Sequence, residues 1–418
     1  MLKKLILENW KSFRYAELPI DPLTVLIGTN ASGKSNAIEA LEFLKRIAQG
    51  LNIQDALTGN SDTVSIRGSA EGVVLKPEFK FTLKVILQGE KEYIDYSYEI
   101  TIETIPALRI LAESLTQINQ VDNSREKPES VDLFLRKKVR NSSVVELSDK
   151  FDIPSKMRES NFPLLDGNFL SAVLKFMPSI ELFGGKIEED DLALKVLENL
   201  FVLDPIPSKM RSYSPLSGEL LSDASNIAGV IAALPKEKKD YVESNILGYV
   251  SQLPEKDIQG LWAETVGQLN SDAMLYCEEA WVLGEPPLII DARGMSDGTL
   301  RFIAIVTALL TRPEGSQLVI EEVDNGLHPS RAELLLKMLK ELGAKRKIDI
   351  LVTTHNPALL NALEPEMIPF VVVAHRDAQT GESKLTPLDD IQRLPKLLAS
   401  GHIGDLATQG SIEKSLSQ

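Results

Sequence analysis

The hydrophobic pattern changes character twice along the chain. Near the start, Leu5-Ile6-Leu7 predicts a strand. Leu23-Thr24-Val25-Leu26-Ile27 is a short apolar run ending at Gly28, as expected of a strand buried on both faces. A glycine-rich turn follows. From Asn36 to Ala48 the apolar residues Ile38, Leu41, Leu44 and Ile47 recur at helical spacing, with Gly50 as a stop. Between Thr63 and Glu103 the period drops to two. Phe79 to Val85 alternates, and Tyr93 to Ile102 is rich in Tyr, Ile and Thr, which predicts two or three antiparallel strands.

The stretch 107–285 is less regular. Gln120 to Glu129 is polar and reads as a loop. Helices are predicted at Gly167–Phe176, Asp190–Phe201, Asp223–Leu234 and Lys238–Leu253, with no heptad pattern that would make a long coiled coil. Pro-Ser-Lys-Met-Arg occurs at Pro154–Arg158 and again at Pro207–Arg211; the flanks do not match, so it reads as coincidence in two loops. From Leu288 strands and helices alternate. Strands are predicted at Leu288–Ile290, Gln317–Ile320, Asp349–Thr353 and Phe370–Ala374, and helices at Leu300–Leu310 and Pro329–Leu342. Such alternation implies a parallel sheet covered on both faces.

Composition narrows the class. A chain of 418 residues has room for two or three lobes, and 43% hydrophobic with 25% charged residues fits a folded globular protein. The longest nearly continuous apolar run, Phe302 to Leu310, is far below a membrane span, and Glu8 interrupts the apolar stretch that a signal peptide would need. A cytoplasmic protein without membrane contact is expected. Cys277 is the only cysteine, which excludes intramolecular disulfides and cysteine-rich zinc sites. The net charge of −15 argues against nucleic-acid binding through bulk charge. Local basic clusters at Arg136-Lys137-Lys138 with Arg140, and at Lys236 with Lys238-Lys239, read first as solvated faces.

Gly28-Thr29-Asn30-Ala31-Ser32-Gly33-Lys34-Ser35 fits G-x-x-x-x-G-K-[ST], between a buried strand and a helix. Its glycines let the backbone wrap phosphate oxygens, and N–H groups at the helix start point at the anion. Lys34 supplies a point charge for the β- and γ-phosphates, and the Ser35 hydroxyl suits Mg²⁺. Gln317-Leu318-Val319-Ile320-Glu321-Glu322 is a second element, an acidic pair after a buried strand. There Glu321 would hold the Mg²⁺ shell and Glu322 would orient water or accept its proton. His355 ends a neighbouring strand, in reach of a γ-phosphate or the catalytic water. Finally, Gly294-Met295-Ser296-Asp297-Gly298-Thr299-Leu300-Arg301 precedes an apolar helix. Ser296 is a good N-cap, and Ser296 with Gly298 also forms a second anion site. Two anion sites on one chain suit a two-fold dimer in which each triphosphate sits between two copies.

These four elements, in this order, resemble the ABC-type ATPase heads of the RecF and SMC group. More narrowly, the chain looks like the bacterial "AAA family ATPases" related to the ATPase half of OLD-family nucleases. Asn9-Trp10-Lys11-Ser12-Phe13 is similar to the group's opening strand, and Asn30 and Asn36 match positions of its phosphate-loop segment. Ser296–Arg301 stands where transporters carry L-S-G-G-Q. Glu321-Glu322 followed by Asn325-Gly326-Leu327-His328-Pro329 resembles the group's E-E-P-E-x-G-L-H-P, with Val323 and Asp324 as departures. Ile403-Gly404-Asp405-Leu406 is also similar.

The resemblance implies an α/β fold: a P-loop head with a mixed sheet and an antiparallel β subdomain, plus a mainly helical middle lobe. The expected segments are 1–106 with the phosphate loop, 107–285 as a helical insert or dimerisation lobe, and 286–418 with the signature, Walker B and switch histidine. It implies ATP and Mg²⁺ as ligands, with Lys11 near phosphate. It also implies a homodimer, with higher oligomers open, that acts as an ATP-hydrolysing switch in DNA repair or anti-phage defence. The residues after His355 are few for a complete TOPRIM-type nuclease domain, so a separate nuclease-like effector is expected, with any DNA contact made through that complex. Two alternatives are a nucleotide-binding subunit of an ABC transporter and a non-hydrolysing ATP-sensing scaffold.

Overall fold

A computed structural model describes residues 1–416 apart from 61–62, 90–92, 120–128, 140–141, 148–150, 153–180, 183–184, 187–194, 255–256, 281–285 and 393. The strands and helices that matter below are, in chain order, β1 (Leu2–Trp10), β2 (Phe13–Pro19), β3 (Leu23–Ile27), α1 (Lys34–Ala48), β4 (Lys80–Gln88), β5 (Ile94–Glu103), β6 (Arg109–Asn119), β7 (Glu129–Val139), β8 (Ser142–Leu147), β9 (Phe201–Leu203), α2 (Lys236–Val250), β10 (Ile258–Val266), β11 (Asp272–Glu279), β12 (Leu288–Asp291), α3 (Asp297–Thr311), β13 (Gln317–Ile320), α4 (Ala332–Arg346), β14 (Asp349–Thr354), β15 (Val371–Arg376) and β16 (Ser383–Pro387). The chain forms two compact units, each discontinuous in sequence. One comprises Met1–Asp21, Gly28–Leu200 and Val372–Pro387; the other comprises Pro22–Ile27, Phe201–Val371 and Leu388–Gln418.

The first unit is built on a seven-stranded sheet in the order β2-β1-β4-β5-β6-β7-β8, antiparallel throughout. In β4 the even alternation Phe81, Leu83, Val85, Leu87 is fully buried, as a period of two requires when one face meets a core. Trp10, Phe43 and Phe81 form the centre of that core, with the Trp10 and Phe81 rings edge to face at 4.9 Å. The Trp10 indole N–H donates to the Asn36 carbonyl at 2.7 Å, which ties α1 to the opening strand. Burying rings of this size stabilises by about 2–3 kcal/mol each.

The second unit contains parallel strands β9, β13, β14 and β3 as neighbours, with Leu203 beside Ile320, Ile320 beside Val352, and Thr354 beside Ile27. Apart from the partly buried Val202 all their residues are buried, and most are apolar, as strands covered on both faces must be; Thr24, Gln317, Asp349, Thr353 and Thr354 are the buried polar positions. α3 is buried on nearly every side from Gly298 to Leu310, which accounts for its lack of a polar stripe. α4 buries Leu335, Leu336, Met338, Leu339 and Leu342 at helical spacing. An antiparallel sheet of β10, β11 and β12 completes this unit, with α2 against β10.

Several expectations change. Leu288–Asp291 does not join the parallel sheet; it runs antiparallel to β11, which hydrogen-bonds the short strand at its edge. Among the described residues of 107–285, expected to be mainly helical, strands β6 to β11 stand beside α2 and shorter helices. Phe201, read as a helix end, opens β9, because Phe201-Val202-Leu203 gains a parallel ladder with β13 that a short helical turn would forfeit. Val371–Arg376 acquires an antiparallel partner in Ser383–Pro387, a segment too polar and short to signal a strand by itself. The helices expected at Asp223–Leu234 and Lys238–Leu253 are Ile227–Ala232 and Lys236–Val250. The expected helix at Gly167–Phe176, the polar loop after Gln120 and the first Pro-Ser-Lys-Met-Arg run lie outside the described residues. Among the described residues no helix is long and apolar enough to cross a membrane.

Candidate functional site

In the first unit the phosphate loop is shaped by backbone that only glycine adopts easily. Gly28 has φ 146° and Gly33 has φ 117°. A Cβ on Gly28 would lie 2.2 Å from the Ala374 carbonyl oxygen, so the chain can pass there only without a side chain. Ala31, between them, is also left-handed at φ 63°. Its carbonyl is held by the Arg376 guanidinium at 2.9 Å, and the same guanidinium donates to the Gly381 carbonyl at 2.7 Å. Lys34 folds back over the loop and donates to the Gly28 and Thr29 carbonyls at 2.7 and 3.1 Å, which keeps its charge at the loop. α1 starts at Lys34, directly after Gly33, so the first helical N–H groups belong to the loop.

Beneath the loop, the Ser12 hydroxyl accepts from Asn36 Nδ2 at 2.7 Å and meets the Ser383 hydroxyl at 2.8 Å. Asn36 thus braces the start of α1 against Ser12. The Ser32 hydroxyl is buried and has no hydrogen-bond partner among the described residues. An orphaned donor inside a phosphate loop fits an anion acceptor, because a buried polar group left unpaired costs about 1–3 kcal/mol. Lys11 is left-handed at φ 51°, and its side chain, 7% exposed, pairs through the ammonium with Glu39. Arg67 pairs with the same carboxylate at 2.8 Å. Burial pushes the Lys11 ammonium below its ordinary range despite Glu39. Burial also pushes the Glu39 carboxyl up, and the bonds from Arg67 and Lys11 more than reverse that. Lys11 is therefore committed to an acidic partner.

In the second unit, parallel strands bring their carboxyl ends to one edge. β13 is followed by Glu321 and Glu322, β14 by His355, β9 by Asp204 and β3 by Gly28. Ligands of open α/β sheets bind at such an edge. The Glu321 N–H donates to the Leu203 carbonyl at 3.3 Å, which extends the β9–β13 ladder by one residue. Glu322 then turns off the sheet with φ 45°. A left-handed residue with a Cβ costs about 1–2 kcal/mol. It is offset by a bond from the Glu322 N–H to the Thr353 hydroxyl at 2.8 Å and one from the Val323 N–H to the Thr353 carbonyl at 3.0 Å. The Glu322 carboxylate accepts from Asn325 Nδ2 at 3.3 Å, and its other oxygen lies 4.0 Å from His355 Nδ1. Both side chains are about half exposed, so water reaches them.

Asp204 follows β9 at this edge, outside the acidic pair that the sequence marks. Burial raises its carboxyl above the ordinary aspartate range; the charge of Arg301 opposes this, and Glu322 adds to it. Among the described residues no three His, Cys, Asp or Glu side chains converge on one point.

The signature helix α3 begins at Asp297. The Ser296 hydroxyl accepts from the Thr299 N–H at 3.1 Å and shares a bond with the Thr299 hydroxyl at 2.8 Å, an N-cap. Gly298 sits where a Cβ would meet the Gly326 carbonyl at 2.7 Å and the Arg331 guanidinium at 2.9 Å, so the loop after Glu322 lies against the signature helix. Arg211 donates to the Met295 carbonyl at 2.8 Å and to Asp297 at 2.6 Å. The second Pro-Ser-Lys-Met-Arg run thus ends in a strap on the signature loop. Arg376 and Thr353 carry no motif; only a polar residue in an otherwise apolar strand marks Thr353, and Arg211 is marked only by the repeated pentapeptide. Of the basic clusters, Lys236 and Lys238 are exposed and Lys239 lies 3.7 Å from Glu243. The side chains of Arg136, Lys137, Lys138 and Arg140 lie outside the described residues.

Comparison with known proteins agrees with this geometry. Residues 1–176 match the family model "AAA ATPase domain", and residues 288–361 match "AAA domain, putative AbiEii toxin, Type IV TA system". The chromosome partition protein Smc of Rhodopirellula baltica is 30% identical over 128 residues, 26% of this chain and 11% of that protein. The DNA replication and repair protein RecF of Syntrophotalea carbinolica is 30% identical over 99 residues, 23% of this chain and 26% of that protein. The chain therefore aligns with only about a tenth to a quarter of the length of these relatives. An Smc head bound to the C-winged helix domain of ScpA shares the fold with a TM-score of 0.52 at 13% identity, covering 92% of this chain and 96% of that one. An Smc head with an extended coiled coil, bound to the C-terminal domain of ScpA derived from Pyrococcus furiosus, has a TM-score of 0.51 at 12% identity, covering 96% and 98%. In its two family models, its two relatives and its fold, the chain is similar to the ABC-type ATPases of the RecF and SMC group.

Proposed function

We propose that the chain binds Mg·ATP and hydrolyses it to ADP and phosphate as a homodimeric switch. In this reading it controls a separate, nuclease-like effector in DNA repair or anti-phage defence. The observation that carries it is the parallel register that ends β9, β13, β14 and β3 at one edge, with Glu321, Glu322 and His355 there and the phosphate loop leaving β3. The AbiEii-type match supports the defence setting, and the RecF likeness supports DNA repair.

In this proposal the backbone from Gly28 through Asn30, Ala31, Ser32 and Gly33 cradles phosphate, and Lys34 neutralises its charge. Ser35 and Glu321 would hold Mg²⁺, which when bound supplies charge neutralisation at the phosphate oxygens. Glu322 orients the attacking water and accepts its proton, with Asn325 fixing one carboxylate oxygen. His355 stands beside the other and senses the γ-phosphate. Ser296 and Gly298 serve the triphosphate bound to a second copy, so that ATP joins two copies and hydrolysis releases them.

The test is a mixture of copies carrying Lys34→Ala with copies carrying Ser296→Arg. In a mixed dimer one site inherits both lesions and the other neither. Phosphate release should therefore reappear in the mixture while each variant alone is inactive. Full activity of Ser296→Arg alone would rule out the shared site.

A further inference from the structure

We infer that Thr353 is a positioning residue for hydrolysis: it holds Glu322 in the left-handed turn that presents the carboxylate at the sheet edge. Thr353 is 2% exposed and lies one residue from the end of β14, after the apolar run Ile350-Leu351-Val352. Packing alone would be served as well by valine, which has nearly the same shape. What threonine adds is an oxygen, and that oxygen accepts the Glu322 N–H at 2.8 Å. The carbonyl of the same residue accepts the next amide, Val323, at 3.0 Å.

The need for this grip follows from where the ladder stops. The last registered pair between β13 and β14 is Ile320 with Val352. Beyond it, Glu322 adopts φ 45° and its amide has left the strand-to-strand pattern. A residue with a side chain persists in that conformation only when its surroundings over-determine it. Two consecutive amides that donate to one threonine do so. Thr354 performs the matching task on the other strand face: its hydroxyl accepts the Asn356 N–H at 3.0 Å and so fixes the turn that carries His355. Neighbouring hydroxyls on opposite faces of one strand thus aim the two groups that lie 4.0 Å apart.

The inference rests on the proposed role of Glu322 as the group that handles the attacking water, and the experiment separates the two. ATP turnover and ATP affinity are measured on the full chain for Thr353→Val, Thr353→Ser, Glu322→Gln and the double variant Thr353→Val with Glu322→Gln. Thr353→Val should lower kcat by about 10–100-fold with ATP affinity changed less than about twofold, and Thr353→Ser should restore it. In the Glu322→Gln background Thr353→Val should add no further loss, because a residue that acts only through Glu322 has nothing left to aim. Thr353→Cys, whose thiol is a poor acceptor, provides a second probe if the valine variant folds badly. Unchanged kcat in Thr353→Val beside an inactive Glu322→Gln overturns the inference and leaves the role of Glu322 standing. Additive losses, or a parallel loss of ATP affinity, overturn it in favour of a purely structural hydroxyl. Wild-type turnover in Glu322→Gln overturns the underlying reading itself.

Discussion

The phosphate loop and the Glu322 turn meet the same backbone demand in opposite ways. Both need left-handed residues at the end of a buried strand. In the loop, Gly28 and Gly33 take those positions, and a Cβ at either would collide with its surroundings. At the acidic turn the left-handed residue is a glutamate. The difference follows from what each position must do. The loop offers its ligand backbone N–H groups, so side chains are dispensable and glycine removes the strain. The turn offers a carboxylate, so the side chain is required and the strain remains, offset by Thr353. Ala31 is an intermediate case: left-handed with a small side chain, its carbonyl held from outside by Arg376.

The largest expected effect lies on the loop side of this contrast. Lys34→Ala should abolish most ATP binding by calorimetry, since a desolvated phosphate loses its charge partner. Unchanged affinity would mean that backbone N–H groups suffice and that the lysine is only a brace for Gly28 and Thr29.

On the acidic side, Glu322→Gln should slow turnover by about 10²–10⁴-fold while ATP still binds, because shape and hydrogen-bond reach are nearly kept. Phosphate release followed beside ATP affinity reads both quantities. Near-wild-type turnover would move the base elsewhere, with His355 the next group in place.

Gly28→Ala tests whether the loop depends on missing side chains. The new Cβ meets the backbone oxygen of Ala374, which no rotamer change relieves. A stability loss of about 1–3 kcal/mol in urea unfolding is expected, with weakened ATP binding. A neutral outcome would show that the loop can shift to accommodate the methyl group.

The smallest effect is at Asp204. Its folded-state carboxyl is raised by burial, so the folded protein binds its proton more tightly than the unfolded chain does. Stability from this group is therefore lost as pH rises from the ordinary aspartate range through the raised value. Asp204→Asn should remove that fall and so be relatively more stable at about pH 7 than at about pH 4, compared with the native chain in urea titrations. An identical pH dependence in both proteins would show that Arg301 balances the burial.

What could be read from the sequence follows the same division. The phosphate loop, the strand before Glu321, the strand before His355 and the helix after Ser296 all appear as local patterns, and each lies where its pattern predicted. Strands β9, β10, β11 and β16 escaped because they are short, polar or flanked by helix-like stretches, and they form only by pairing with distant segments. The commitment of Lys11 to Glu39 escaped for the same reason, since a salt bridge between a strand end and a helix has no local spacing rule.

By itself, the sequence determined which backbone segments can be strands, helices and anion-binding turns, because periodicity, glycine and capping act over a few neighbouring residues. Only the tertiary structure decided that Thr353 grips Glu322, that Arg211 straps the signature loop and that Arg376 holds Ala31. Those bonds join residues far apart in the chain. Their partners are chosen by which strand lies beside which, and a hydrogen bond worth about 1 kcal/mol leaves no periodic trace in the residues that make it.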